Sequence, residues 1–167
     1  MSAEIHSAGD AVEIALRVDG LERSVRAEPR TLLIHALRNM LDKTAPHIGC
    51  ESGRCGACTI ALDGAPVKSC MLLAIQAQNT TIMTAQSFAD DDIGARLQSA
   101  FKSHHALQCG FCTPGMLAAA RGLLLETVLP TEQDVRDALR GNLCRCTGYQ
   151  PIVEAVLVVA ADLADAE

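Results

Sequence analysis

Cysteine placement constrains this chain more than any other feature of its sequence. Eight cysteines fall into two groups of four with none left over. The groups are Cys50, Cys55, Cys58 and Cys70, and then Cys109, Cys112, Cys144 and Cys146. The first ten residues contain acidic side chains and no apolar run, so we expect no secretory signal and a reducing, cytoplasmic location, where disulfides are rare. Four cysteines per group match the ligand number of a zinc or an iron–sulfur centre.

The first group has a spacing that favours iron. It reads C-x4-C-x2-C-x11-C, which is the spacing of plant-type [2Fe–2S] ferredoxins, whereas zinc sites more often combine two C-x2-C knuckles. Gly49, Gly53 and Gly56 lie among its cysteines, and glycine permits the tight turns that bring backbone amides close to sulfur. His47 lies nearby, but four cysteines already complete the ligand set. We therefore predict a [2Fe–2S] cluster here rather than zinc.

The second group, spaced C-x2-C-x31-C-x-C, is less diagnostic. Cys109 and Cys112 precede one predicted helix, and Cys144 and Cys146 precede another. Helix N-termini favour thiolates because of the helix dipole and their free amides. If the two helices lie side by side, the two pairs meet at one centre. The spacing alone leaves zinc and iron–sulfur equally open.

Hydrophobic periodicity divides the chain into two halves. The first half predicts strands over 12–18 and 21–27 around an Asp19-Gly20 hairpin turn, a helix over 32–42 capped by Thr31, a hairpin over 59–69 and a short strand over 80–84. The second half predicts helices over 92–104, 113–126, 131–141 and 151–163, with caps at Thr113 and Thr131. Four helices with short connections indicate a bundle. The boundary falls near the acidic run Asp90–Asp92, which we expect to be solvated, and gives domains 1–88 and 89–167.

Composition and motifs exclude several functions. A formal charge of −6 and only four aromatic residues argue against nucleic-acid binding. No run of 18 apolar residues exists, so we expect no membrane insertion. There is no P-loop, dinucleotide fingerprint or nucleophile elbow, and we assign no catalytic residue. Gln108 alone suggests only a polar residue before a turn, while Phe111 and Met116 are expected in the core or at an interface.

Four motifs occur together in this chain. They are GCESGRCGACT at 49–59, VKSC at 67–70, LQCGFCTPGM at 107–116 and GNLCRCTGYQ at 141–150. In this order they closely resemble the iron–sulfur subunit of molybdenum hydroxylases, the xanthine oxidase family, which includes bacterial carbon monoxide and aldehyde dehydrogenases. The resemblance covers about Val12 to Leu163. The stretch Thr81–Gln86 departs from the family's usual Thr-Ile-Glu-Gly, which affects the linker and not the clusters.

The resemblance implies a fold and a function that the spacing does not. The fold would be α+β, with a ferredoxin-like β-grasp domain followed by a four-helix bundle, each holding one [2Fe–2S] cluster, so that iron replaces zinc as the expectation for the second group. Electrons would pass from molybdopterin in a large subunit through both clusters to FAD in a medium subunit, or to another acceptor.

The resemblance also implies the contacts and the assembly. Gln108 and the sulfur of Cys146 would approach the pterin. The complex would be a dimer of heterotrimers, and this chain would have no substrate site of its own. A zinc-stabilised binding module and a free-standing ferredoxin remain the alternatives.

Overall fold

The first half of the chain is built on a five-stranded sheet, seen in a computed structural model that describes residues 9–166. The first eight residues, which carry most of the stretch predicted not to be a secretory signal, lie outside that range. The strands are β1 (Val12–Val18), β2 (Leu21–Ala27), β3 (Thr59–Leu62), β4 (Ala65–Lys68) and β5 (Thr81–Met83). Their order is β2-β1-β5-β3-β4, with β1 and β5 parallel and the other neighbours antiparallel.

The turn between β1 and β2 also anchors the end of β5. Asp19 and Gly20 both have positive φ angles, 51° and 76°, as a type I′ hairpin requires. The Asp19 carboxylate accepts hydrogen bonds from the Thr84 amide at 2.7 Å and the Ser87 hydroxyl at 2.9 Å, and it pairs with Lys43 Nζ at 2.7 Å. One turn residue therefore fixes the linker that leaves the sheet.

The helix predicted over 32–42 is shorter and differently wound. Helix α1 (Leu33–His35) continues directly into a π-helical turn, Ala36–Met40. Thr31 does not cap it, since the N-cap is Leu32 and no side chain makes a cap hydrogen bond. The Leu33 amide instead donates to the Leu72 carbonyl at 2.7 Å, and the Ala74 amide donates to the Thr31 carbonyl at 2.8 Å. Pairing with a neighbouring segment, which local propensity does not reveal, replaces the predicted cap.

Four helices make up the second half. They are α2 (Asp92–Ser103), α3 (Thr113–Glu126), α4 (Glu132–Leu139) and α5 (Gln150–Ala164). Contacts run from α2 to α3, α3 to α4, α4 to α5 and α5 back to α2. No helix in residues 9–166 combines the length and apolarity needed to cross a bilayer.

The helix starts agree with the sequence in one case and differ in two. Thr131 and Asp134 form the predicted capping box of α4. The cap of α3 is Cys112, and Thr113 is already its first helical residue. Asp91 is not a free surface charge, because it caps α2 by accepting from the Gly94 amide and pairs with Arg121 at 2.7 Å.

Two apolar cores lie on either side of the sheet. One is formed by β1, β5 and α1, and the other by the four helices together with Ala61 of β3. Helix α3 packs against β3 and β4, where a Cβ on Gly122 would come within 2.6 Å of Pro66. Nearer the start of α3, a Cβ on Gly115 would lie 2.2 Å from the Gly56 carbonyl, so the first turn of the helix touches the edge of the first cysteine loop.

Candidate metal centres

The first cysteine group is assembled by a loop and a hairpin. Cys50 and Cys55 lie in the loop before β3, Cys58 immediately precedes β3, and Cys70 lies in a 3-10 turn after β4. Antiparallel pairing of β3 with β4 brings Cys58 and Cys70 together, and the Ser69 amide and hydroxyl both donate to the Cys58 carbonyl, at 3.3 and 2.8 Å.

Backbone amides converge on the sulfur of Cys50. The Ser52 amide lies 3.4 Å and the Cys55 amide 3.3 Å from its Sγ. Hydrogen bonds from Ser52 and then Cys55 lower the pKa of this exposed thiol to about 6. Glu51 holds a left-handed conformation, φ 48°, and its carboxylate pairs with His35 Nε2 at 2.6 Å. The loop is therefore shaped to hold Cys50 as a thiolate.

Cys58 has the opposite environment. It is buried in a small cluster with Ile34 and Cys70. Burial, with smaller effects from the neighbouring Cys70 and Cys55, raises the pKa of the Cys58 thiol to about 11. Since a metal binds the thiolate, ligation at Cys58 must displace a proton that the protein alone holds firmly.

The second group is also brought together. Cys109 and Cys146, both exposed, have Sγ atoms 3.5 Å apart. Cys112 lies at the start of α3 beside Cys144, and burial, followed by the hydrogen bond and charge of Cys144, raises the pKa of Cys112 to about 12. The pairs before α3 and α5 thus meet, although the main helix contacts join α3 to α4 and α4 to α5, and not α3 to α5 side by side as the prediction supposed.

The turn before α5 supports Cys144. Burial raises the pKa of its thiol, but hydrogen bonds from Thr147 outweigh that effect and lower it, with Thr147 Oγ1 at 3.1 Å and the Thr147 amide at 3.5 Å. The Tyr149 hydroxyl accepts from the Cys144 amide at 3.0 Å and donates to the Asn142 carbonyl at 3.4 Å. Sequence reasoning gave Tyr149 no such role.

The two groups are joined through the backbone. The Leu143 amide donates to the Cys55 carbonyl at 2.8 Å. Asn142, which is 5% exposed, donates through Nδ2 to the Gly56 carbonyl at 3.2 Å and to Thr59 Oγ1 at 3.3 Å. Asn142 was also missed, since its only signal in the sequence is its place two residues before Cys144.

Apolar and polar side chains are exposed around the second group. Leu107, Phe111 and Leu143 are 41%, 47% and 56% exposed, and Gln108 beside Cys109 is exposed too. Met116, in contrast, is fully buried. Phe111 is therefore not a core residue, whereas Met116 is.

The chemistry of the donor set suits iron–sulfur clusters. None of the eight cysteines is in a disulfide, and each group contains at least one sulfur that accepts backbone amide hydrogen bonds, the interaction that tunes such clusters. Within the described residues, no three His, Cys, Asp or Glu side chains are already arranged as a site for a single metal ion. The residues that would hold the clusters are the two groups of four, and a bound [2Fe–2S] cluster supplies a one-electron carrier.

Two family models match consecutive parts of the chain. The model described as "2Fe-2S iron-sulfur cluster binding domain" matches residues 16–86, and that described as "[2Fe-2S] binding domain" matches residues 84–157. Two [2Fe–2S] domains in one chain are what two cysteine groups lead us to expect.

Known proteins resemble the chain over nearly its whole length. It is 52% identical over 151 residues to the nicotine 6-hydroxylase small subunit of Paenarthrobacter nicotinovorans, covering 90% of this chain and 91% of that protein. It is 37% identical to the xanthine dehydrogenase iron-sulfur-binding subunit of Escherichia coli O157:H7, covering 89% and 94%. A solved chain of quinoline 2-oxidoreductase from Pseudomonas putida 86 superposes with a TM-score of 0.87 at 44% identity, covering 95% of this chain and 99% of that one.

The fold and the cysteine groups define an electron-transfer protein with two [2Fe–2S] domains of a mixed α/β, ferredoxin-like type. The chain belongs to the family of small iron–sulfur subunits of molybdenum hydroxylases, the xanthine oxidase family. It is thus a subunit of a multi-subunit oxidoreductase. Membership in this family favours that role over a zinc-stabilised module and over a free-standing ferredoxin.

Proposed function

We propose that this chain carries two [2Fe–2S] clusters and relays electrons between two partner subunits. Its ligands are Cys50, Cys55, Cys58 and Cys70 for the first cluster, and Cys109, Cys112, Cys144 and Cys146 for the second. The observation that carries the proposal is the meeting of each set of free thiols beside backbone amide donors, with a direct hydrogen bond from Leu143 to Cys55 between the sets.

We further propose the direction of electron flow. The second cluster receives electrons from molybdopterin in a large subunit, and the first passes them to FAD in a medium subunit or to another acceptor. Exposure of Cys109 and Cys146, with Gln108 beside them and apolar Leu107 and Leu143 around them, supports placing this edge against the pterin. Gln108 and the Cys146 sulfur are the groups we expect nearest to it.

The assembly and division of the chain are part of the same proposal. Residues 1–88 are the ferredoxin-like β-grasp domain and 89–167 the four-helix bundle; one apolar core made only of residues 14–82 and the closed circuit of contacts among α2–α5 support this. We propose a dimer of heterotrimers in the cytoplasm, where cysteines are kept reduced and can serve as cluster ligands. Native mass spectrometry of the purified complex should give the mass of an assembly with two copies of each of three chains.

Cysteine variants in the intact complex test the order of transfer. Cys109→Ser or Cys144→Ser should remove the second cluster and stop electron flow directly after molybdenum. Cys55→Ser should leave molybdenum able to reduce the second cluster but block the exit. Reduction by the complex's own substrate is followed by low-temperature electron paramagnetic resonance (EPR). If Cys55→Ser prevents reduction of the second cluster in an otherwise intact complex, the proposed order is wrong.

A further inference from the structure

An aromatic side chain from the second cysteine loop reaches the first. Phe111 lies between Cys109 and Cys112, yet a Cβ placed on Gly49 would be 3.4 Å from Phe111 Cε1 and 2.9 Å from Cys55 Sγ. The ring and a first-group sulfur therefore both lie beside the space that a side chain at Gly49 would fill. Its own main chain leads directly into Cys112 of the second group.

His47 holds this ring in place. The two rings stack with centroids 4.8 Å apart and planes inclined by 17°, and His47 Nδ1 lies 2.8 Å from the Phe111 carbonyl. A carbonyl can only accept, so Nδ1 carries the proton and donates. The His47 amide donates to the Ala57 carbonyl at 2.9 Å, next to Cys58. His47 is thus fixed to the first loop by its main chain and to the second loop by its side chain.

Neither residue is needed as a ligand, and neither belongs to an apolar core. Phe111 is 47% exposed, and each group already has four cysteines. A stacked pair with a directed hydrogen bond at the surface gains little from burial, but it fixes the geometry between the elements that it connects. The connected elements here are the two cysteine loops.

We propose that His47 and Phe111 are positioning residues that set the spacing of the two clusters and thereby the rate of electron transfer between them. The inference rests on the function proposed above. In the step concerned, one electron leaves the reduced second cluster, which returns to its oxidised form, and enters the oxidised first cluster. No bond is made or broken and no proton moves. Because electron tunnelling weakens steeply with distance, a loosened loop slows this step.

The test uses the intact complex carrying Phe111→Ala, His47→Asn or His47→Phe. His47→Asn retains a donor near the Nδ1 position without the ring, and His47→Phe retains a ring without the donor. Leu125→Ala is the matched control, since Leu125 lies at the far end of α3 and is 49% exposed, close to the 47% of Phe111. Iron content and the potential of each cluster are measured first, to exclude loss of a cluster or a changed driving force.

Two measurements then report on the spacing between the two clusters. In dithionite-reduced complexes, low-temperature EPR measures the magnetic splitting between the reduced clusters. After a light flash with a deazaflavin reductant, which delivers less than one electron per complex, rapid-freeze EPR follows the approach of the two signals to equilibrium. We expect Phe111→Ala to weaken the magnetic splitting and to slow the approach to equilibrium on the order of tenfold. The two His47 variants should fall between Phe111→Ala and wild type. Leu125→Ala should match wild type.

Failure of the positioning role and failure of the proposed function would give different results. Wild-type splitting and rate in Phe111→Ala, with both clusters present, would overturn the positioning role and leave the proposed function standing. A wild-type complex with a single cluster signal would instead overturn the proposed function. If Phe111→Ala loses iron, Phe111→Leu, which keeps apolar bulk without a ring, decides the question: an unchanged rate there and in both His47 variants contradicts the inference.

Discussion

At the scale of single residues, a missing side chain is what lets the two cysteine loops touch. Gly56 holds φ at 71°, and a Cβ there would lie 2.4 Å from the Gly141 carbonyl. A Cβ on Gly115, in the first turn of α3, would likewise lie only 2.2 Å from the Gly56 carbonyl. Two glycines from distant parts of the sequence therefore permit one contact. The glycines of the first loop were predicted to matter for turns, but their role in packing against α3 needed the structure.

Gly56→Ala should disrupt this contact. We expect a loss of about 3 kcal/mol in the free energy of unfolding, from backbone strain and overpacking together, with loss of iron from the purified complex. Gly64→Ala is the control, because Gly64 also has a positive φ of 89° but nothing lies within 4 Å of its added Cβ. It should cost about 1 kcal/mol and retain iron. Thermal unfolding and iron assay check both, and equal losses would contradict the packing argument.

The thiols of the cluster-free chain should differ in reactivity. Cys50 is exposed with its pKa lowered to about 6 by hydrogen bonds from Ser52 and Cys55, whereas burial raises that of Cys58 to about 11. Since the thiolate is the nucleophile, Cys50 should react readily at pH 7, and its reaction should slow as the pH falls through about 6. Iodoacetamide labelling of the iron-free chain, read by peptide mass spectrometry, should therefore modify Cys50 before Cys58. Labelling of Cys58 first would refute the described environments.

At the scale of elements, side-chain partners decide where helices begin. Helix α2 is capped by Asp91, whose carboxylate both accepts from the Gly94 amide and pairs with Arg121 of α3. Arg121 is 8% exposed and lies over the Phe88 ring. Periodicity and capping rules located α2 to α5 closely, because those signals are local. They gave the wrong cap at Thr113, and they missed the pairing of Thr31 and Leu33 with the segment 72–74, which is distant in sequence.

Removing the carboxylate of Asp91 should lower the free energy of unfolding far more than removing the carboxylate of Asp92. Asp91→Ala leaves Arg121 buried without its charge partner and should cost about 3 kcal/mol in the free energy of unfolding. Asp92→Ala removes an exposed pair with Arg96, on the same helix, and should cost about 0.5 kcal/mol. Urea unfolding of the two variants measures the difference. Similar losses would mean that Asp91 and Arg121 do not form the stabilising link between α2 and α3 described above.

At the scale of the whole molecule, the spacing of the cysteine motifs predicted more of the function than hydrophobic periodicity did. The C-x4-C-x2-C run indicated iron in the first half, and the four motifs together indicated the family, which the comparisons confirm. The interface between the halves could not be foreseen. It depends on Asn142, Gly115 and the His47–Phe111 stack, residues that are ordinary in type and become informative only when the fold brings them together.

We propose that one chain holds two [2Fe–2S] clusters on its eight cysteines. Low-temperature EPR of the dithionite-reduced protein, with metal analysis of the same sample, tests it most directly. We predict two distinct [2Fe–2S] signals and about four irons per chain, with no zinc at the cysteine sites. A single signal with about two irons, or zinc in place of iron, would contradict the claim.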